Sequence, residues 1–258
     1  MLQQLRLFLT AVQFFTRLPV PAWVGHSAQQ LEQAARYLPL VGMLVGTIAA
    51  AVLYLAALVL PLSLAVGLSM VAGILATGAF HEDGLSDFAD GFGGGHTKEK
   101  MLAIMKDSRV GAYGAIAIVL VLLLKYQALV ELCGKHSLLF AAAALIAAHS
   151  VSRLMAASIM LTQRYVREDD SARAKPAAQL SHASFTVALL TGIAALGLLY
   201  VAGANAATVF SAAIAALLVR AYLAWRLRRR LGGYTGDCLG AVQQLTEIAF
   251  YLGLLAAL

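Results

Sequence analysis

Residues 37–80 read YLPLVGMLVGTIAAAVLYLAALVLPLSLAVGLSMVAGILATGAF, 44 residues without one Asp, Glu, Lys or Arg. A bilayer-spanning helix needs roughly 20 apolar residues, so this stretch is long enough for two spans joined at Pro61-Leu62-Ser63. A second run of 44 residues, 176–219, also lacks those four types and divides at Ala202-Gly203-Ala204-Asn205. With the charge-poor segments 110–124, 138–152 and 239–258, seven candidate spans emerge near 40–60, 63–80, 110–130, 138–160, 183–202, 206–224 and 239–258. Residues 1–18 place Leu2, Leu5, Leu9, Val12 and Phe15 at mostly helical spacing but include Arg6 and Arg17, which suits a helix lying in the interface. No small-residue cleavage site follows a short apolar core, so a signal peptide is not expected. The expected fold class is all-α: a polytopic transmembrane helical bundle of about seven spans plus an N-terminal interfacial helix. Residues 1–258 form one integral membrane domain, because the polar segments 81–109 and 162–182 are too short to bury cores of their own.

The composition agrees: 61% of the 258 residues are hydrophobic and 12% charged, far from a soluble domain. Placing the N-terminus inside puts Arg6, Arg17, Arg36, Lys98, Lys100, Lys106, Arg109, Arg164, Arg167, Arg173, Lys175, Arg226, Arg228, Arg229 and Arg230 on inner segments. Only Lys135 falls in an outer loop. Inner loops carry the basic excess in membrane proteins, so the net charge of +6 reads as topology and contact with anionic lipid, not nucleic-acid binding. Cys133 and Cys238 fall a membrane thickness apart, which rules against a disulfide between them.

The polar segment after the second span opens with HEDGLSDFADG, residues 81–91. Phe80 to Asp90 is read as a helical continuation of the second span, Gly93-Gly94-Gly95 as its end, and Thr97 as the cap of a short helix from Lys98 to Lys106. Asp83, Asp87 and Asp90 stand at i, i+4 and i+7, a wedge of about 60° on one helix face. Like charges so placed repel, and a divalent cation relieves the repulsion; all-oxygen donors with no cysteine nearby favour Mg²⁺, Mn²⁺ or Ca²⁺. Gly84 and Gly91 are expected to let a phosphate approach the backbone. The EF-hand, HExxH and P-loop patterns are all absent, and His81 has no second His or Cys at zinc-ligand spacing. Lys106 and Arg109, close behind the acids, supply cations for a reacting phosphate. Inside or near the inner ends of the spans, His149 and Arg153 lie at i, i+4, Arg220 is placed to snorkel, and Asp237, Gln244 and Glu247 share a helix face. Ionisable groups at that depth line a cavity or meet a partner.

EDGLSDFADG (82–91), MKDSRVGAYG (105–114) and GYTGDCLGAVQQLTE (233–247), with FFTRLPVP (14–21) and PLVGMLVG (39–46), together resemble the cobalamin synthase family, the adenosylcobinamide-GDP ribazoletransferases of the bacterial inner membrane. The resemblance covers nearly the whole chain. It implies transfer of the adenosylcobinamide phosphate moiety from adenosylcobinamide-GDP to α-ribazole or its 5′-phosphate, release of GMP, dependence on Mg²⁺, and a site facing the cytoplasm. On that footing Glu82, Asp83, Asp87 and Asp90 are the expected metal ligands. Asp107 is expected as a further ligand or general base, and Lys106 and Arg109 as phosphate contacts. His81, His149, Arg153, Asp237, Gln244 and Glu247 are expected to contact substrate. Membrane lipids are further expected partners, and self-association is left open. A more distant similarity links Asp87-Phe88-Ala89-Asp90-Gly91 to the DxxDG opening of the CDP-alcohol phosphotransferases, although Gly93 and Gly94 depart from that pattern. A lipid-synthesising phosphotransferase and a membrane transporter are the competing expectations.

Overall fold

The computed structural model describes residues 2–25, 27–167 and 180–258; Arg173 and Lys175 of the basic set lie outside them. Among these residues the chain forms α1 (Leu2–Phe15), α2 (Ala28–Ala34), α3 (Leu38–Ala57), α4 (Leu62–Thr77), α5 (Phe80–Gly94) and α6 (Lys98–Lys106). There follow α7 (Ala112–Lys135), α8 (Leu138–Thr162), α9 (His182–Val201), α10 (Ala206–Arg230) and α11 (Gly236–Ala256). Small polar side chains fix the starts: Thr97, Ser137, Ser181, Asn205 and Thr235 each accept from the amide three residues on, opening α6, α8, α9, α10 and α11. The expected break at 202–205 is the α9–α10 turn, and Pro61 caps α4. Both cysteines are free and buried.

Six helices are long and apolar enough to cross a membrane, and counting the bent pair α4–α5 as one span gives seven. The all-α polytopic bundle is therefore what the sequence dictates. α8 and α11 form its centre, and exposed apolar rows on α7, α9 and α10, such as Ile116, Leu120, Ile193, Phe210 and Leu217, face outward. Without water in the hydrocarbon region, close backbone packing holds such helices together. Gly42 and Gly46 of α3, a GxxxG pair, lie against the α8 backbone: a Cβ at Gly42 would strike His149 O, and one at Gly46 would sit 2.7 Å from Ile146 Cα. Gly253 of α11 meets Ala212 of α10 in the same way.

One expectation fails here. The acidic segment does not continue the second span, because α5 turns 87° away from α4. Gly78 (φ +67°) and Ala79 (φ +58°) are consecutive left-handed residues, which no helix accommodates. The amide of Arg17 donates to Ala76 O at 2.7 Å, docking the N-terminal segment on the break. The two short helices expected in this segment are present as α5 and α6, but α5 lies across the end of the bundle, packed on α11 and α7, and α6 folds back on it. The basic residues gather at this end, where Arg226 and Arg230 stack over Phe92 and Arg230 Nη2 donates to Gly95 O at 2.8 Å. Lys135 pairs with Glu131 at the far end of α7.

Candidate active site

α5 crosses α11 at two glycines. A Cβ on Gly84 would lie 3.1 Å from Asp237 Cα, and one on Gly240 3.0 Å from His81 O. Gly84 thus admits a helix, not a phosphate, and Gly91 is likewise filled by Met105 and Met101 of α6. The crossing carries Asp83, beside Gly84, to the same cleft as Asp237. That cleft has a volume of about 490 Å³, and its walls include Thr16, Arg17, Asp83, Tyr165, Arg167 and Asp237.

The last of these arginines is set by backbone. Val166 N donates to Tyr234 O at 3.0 Å and Tyr234 N to Arg164 O at 2.9 Å, tying the segment after α8 to the start of α11. Arg167 then reaches Asp237, Nη2 to Oδ2 at 3.1 Å, and Met105 O at 3.3 Å, while the Thr235 hydroxyl donates to the same carboxylate oxygen at 3.2 Å. Asp87, one turn beyond Asp83, is half-buried. Burial first, then the negative charges of Asp237 and Asp83, push its carboxyl up to about 7. Asp83 and Asp237, from two helices, thus line one cleft with two arginines, and both raise the carboxyl of Asp87 beside it.

The other expected metal ligands point elsewhere. Asp90 is buried, and its two oxygens accept from Gly111 N at 2.7 Å and Gly114 N at 2.9 Å. It caps α7 from a distance: Gly111 is that helix's N-cap and brings no capping side chain. Glu82 turns inward, where Gln244 Nε2 donates to its Oε1 at 2.9 Å and its other oxygen is buried without a partner among the described residues. No three His, Cys, Asp or Glu converge at metal-binding range among the described residues.

Asp107 and Arg109 are not brought to the cleft. They pair with each other at 2.6 Å on the surface, and the Arg109 hydrogen bonds hold the Asp107 carboxyl down at about 2, a value that suits an ion pair and not a general base near neutrality. Lys106 ends α6 with its side chain exposed.

The intramembrane groups do meet, but behind the cleft. Glu247 is fully buried; Gln243 Nε2 donates to it at 2.6 Å and the Tyr251 hydroxyl at 3.3 Å, His149 Nε2 stands 3.6 Å away, and Lys125 forms an ion pair with it. Arg153 Nη1 donates to His149 O at 2.9 Å. Gln244 lies between this network and Glu82, while His81 and Arg153 wall a mainly apolar pocket of about 50 Å³ beside the cleft. Of the three polar residues expected on one face of α11, therefore, only Asp237 reaches the open cleft. Arg220 does not simply snorkel: its Nε donates to Ser158 Oγ at 2.8 Å and its Nη2 to Thr162 Oγ1 at 2.9 Å, fastening α10 to α8. The sequence reading missed Lys125, whose signal was a single lysine inside an apolar span. It also gave no site role to Arg17 or Arg167, which it counted only as topology markers.

Residues 7–255 match the family model described as cobalamin-5-phosphate synthase. The chain belongs to this family. Among curated relatives, one from Shewanella frigidimarina is 50% identical over 255 residues, covering 99% of this chain and 96% of the relative. One from Leptothrix cholodnii is 48% identical over 260 residues, covering 99% and 97%. One from Shewanella amazonensis is 48% identical over 253 residues, covering 98% and 96%. All three are named adenosylcobinamide-GDP ribazoletransferase. No solved structure matches the chain. Membership of the family spans nearly every residue described above, so the cleft between α5 and α11 belongs to the part shared with those relatives.

Proposed function

We propose that the chain joins adenosylcobinamide-GDP to α-ribazole or its 5′-phosphate, releasing GMP, and that the reaction takes place in the α5–α11 cleft. The supporting observation is the convergence there of Asp83 and Asp237, from two distant motifs of the family, with Asp87 behind them. A ribose hydroxyl of the acceptor attacks the phosphorus attached to the cobinamide. The new oxygen–phosphorus bond replaces the one to the bridging oxygen, which leaves with GMP, and the hydroxyl proton is released to water.

The cleft fits Mg²⁺. Its anionic side chains are the carboxylates Asp83 and Asp237, and Mg²⁺ is commonly held by one or two carboxylates together with water and substrate phosphate, so a full cage of protein ligands is not required. Asp83 and Asp237, with Asp87 adjacent, would hold the ion, which when bound neutralises diphosphate charge and polarises the reacting phosphoryl group. Asp90 and Glu82 take no part in this set. Arg167 and the Thr235 hydroxyl fix the rotamer of Asp237, while Phe14, Phe80 and Tyr165 give the cleft an aromatic wall. The basic residues gathered at this end favour a cytoplasmic orientation in the bacterial inner membrane. The two competing readings have no observation in their favour, and Asp90, which closes the DxxDG echo, is already engaged with two amides.

The test is the nucleotide released when purified protein in nanodiscs receives adenosylcobinamide-GDP, α-ribazole and Mg²⁺. GMP in equal amount to the corrinoid product is expected. Absence of GMP, with intact donor recovered, would reject the assignment.

A further inference from the structure

The FFTRLPVP segment contains a cation that neither the fold nor the carboxylate cluster accounts for. Arg17 follows the end of α1, and its side chain is exposed at the lip of the cleft. Among the described residues its guanidinium has no hydrogen-bond or ion-pair partner. It is nevertheless held in place. The Arg17 amide is bonded to Ala76 O, and the side-chain stem lies across Gly78: a Cβ there would sit 2.9 Å from Arg17 Cγ, 3.2 Å from Cδ and 2.5 Å from Nε. Gly78 therefore both makes the left-handed break before α5 and leaves the trough in which the Arg17 stem lies.

Arg167 lines the same cleft, partly occupied by Asp237. Lys106 and Arg109, the cations the sequence offered for the phosphates, do not line it. An anchored arginine with no ion-pair partner among the described residues, lining the same cleft as a second arginine and carboxylates suited to a divalent ion, matches a ligand with two linked phosphates. Guanidinium groups bind phosphate oxygens by two parallel hydrogen bonds.

We infer that Arg17 is the principal diphosphate-contact residue of this cleft, with Arg167 as its partner, and that the N-terminal segment is docked on the α4–α5 break in order to supply it. This assignment rests on the proposed reaction for the identity of the ligand, a nucleoside diphosphate ester. It does not depend on that reaction for the chemistry of the site, which any Mg²⁺-diphosphate would probe.

The experiment uses the full chain in nanodiscs and two readouts. Calorimetric binding of inorganic pyrophosphate in the presence of Mg²⁺ should weaken at least tenfold in Arg17→Gln, with Arg17→Lys intermediate. In turnover, Arg17→Gln should raise KM for adenosylcobinamide-GDP at least tenfold and leave KM for α-ribazole within twofold, a split that a folding defect does not produce. Gly78→Ala keeps Arg17 but fills its trough, and should shift donor KM in the same direction. Pyrophosphate affinity and donor KM both within twofold of the parent in Arg17→Gln would overturn the assignment, as would a larger donor KM effect from Arg109→Gln. If the parent releases no GMP, the proposed reaction fails on its own account, and pyrophosphate binding still decides the role of Arg17.

Discussion

Asp83 and Asp90 stand in the same eleven-residue motif on the same helix face, yet replacing each with Asn is expected to produce opposite phenotypes. In Asp90→Asn the side chain keeps one acceptor oxygen and turns an NH₂ group towards the second amide. One of the two charge-assisted bonds at 2.7 and 2.9 Å is then lost, and a donor at the start of α7 is left facing another donor. A hydrogen bond to a charged group contributes roughly 1.5–3 kcal/mol and an orphaned buried amide costs roughly 1–3 kcal/mol. A net loss of about 3 kcal/mol follows, which for a chain of this size corresponds to a drop in Tm of roughly 6–12 °C. Asp83→Asn removes a carboxylate from an open cleft wall and should change stability by less than about 0.5 kcal/mol. It should however lower kcat by roughly 10²–10³, the equivalent of about 3–4 kcal/mol of transition-state stabilisation. The assay is twofold: the fraction of monodisperse protein surviving a temperature series in detergent, and GMP release at a temperature where both variants are intact. Unchanged thermal survival of Asp90→Asn together with a hundredfold loss of kcat would refute the division of labour argued here.

Glu247→Gln leaves Lys125 buried without its counter-charge and should cost roughly 3–5 kcal/mol, whereas the double change Lys125→Met with Glu247→Met should recover most of that loss in thermal survival; a double variant no better than the single one would contradict the pairing. Gly42→Ala pushes a methyl group into the α8 backbone and should destabilise the bundle by roughly 1–3 kcal/mol, while Gly67→Ala, which meets open space, should be neutral in the same assay. For orientation, Thr97→Cys should be shielded from an impermeant thiol reagent added outside intact cells and His136→Cys should label, in a background lacking Cys133 and Cys238. Ready outside labelling at 97 would invert the topology.

Much of the bundle was legible because spans follow from a one-dimensional property, the run length of apolar residues, and because turns such as 202–205 contain residues that cannot continue a helix. The bend at Gly78-Ala79 was not legible: a single glycine near a span end is common, and the second left-handed residue is an alanine, whose own preference is against that conformation. The spacing of the acidic motif places three carboxylates on one face of α5. That face, however, meets two neighbours, α7 at Asp90 and α11 at Asp83, and helical periodicity contains nothing about which neighbour covers which turn. For the same reason Gly84 and Gly91 looked like space for a ligand when they are space for helices. Asp237 was found from the α11 face it shares with Gln244 and Glu247, but its partner Arg167 comes from a segment with no helical pattern, tied by backbone bonds to Tyr234.

The most direct test of the cleft as the reaction centre is Mn²⁺ electron paramagnetic resonance on purified protein with pyrophosphate present, comparing the parent with Asp90→Asn and with the double variant Asp83→Asn, Asp237→Asn. Bound Mn²⁺ is expected in the parent and in Asp90→Asn at temperatures where it is folded, and is expected to be lost in the double variant. A bound-Mn²⁺ signal that survives in the folded double variant would contradict the account and move the metal, and with it the chemistry, away from the α5–α11 crossing.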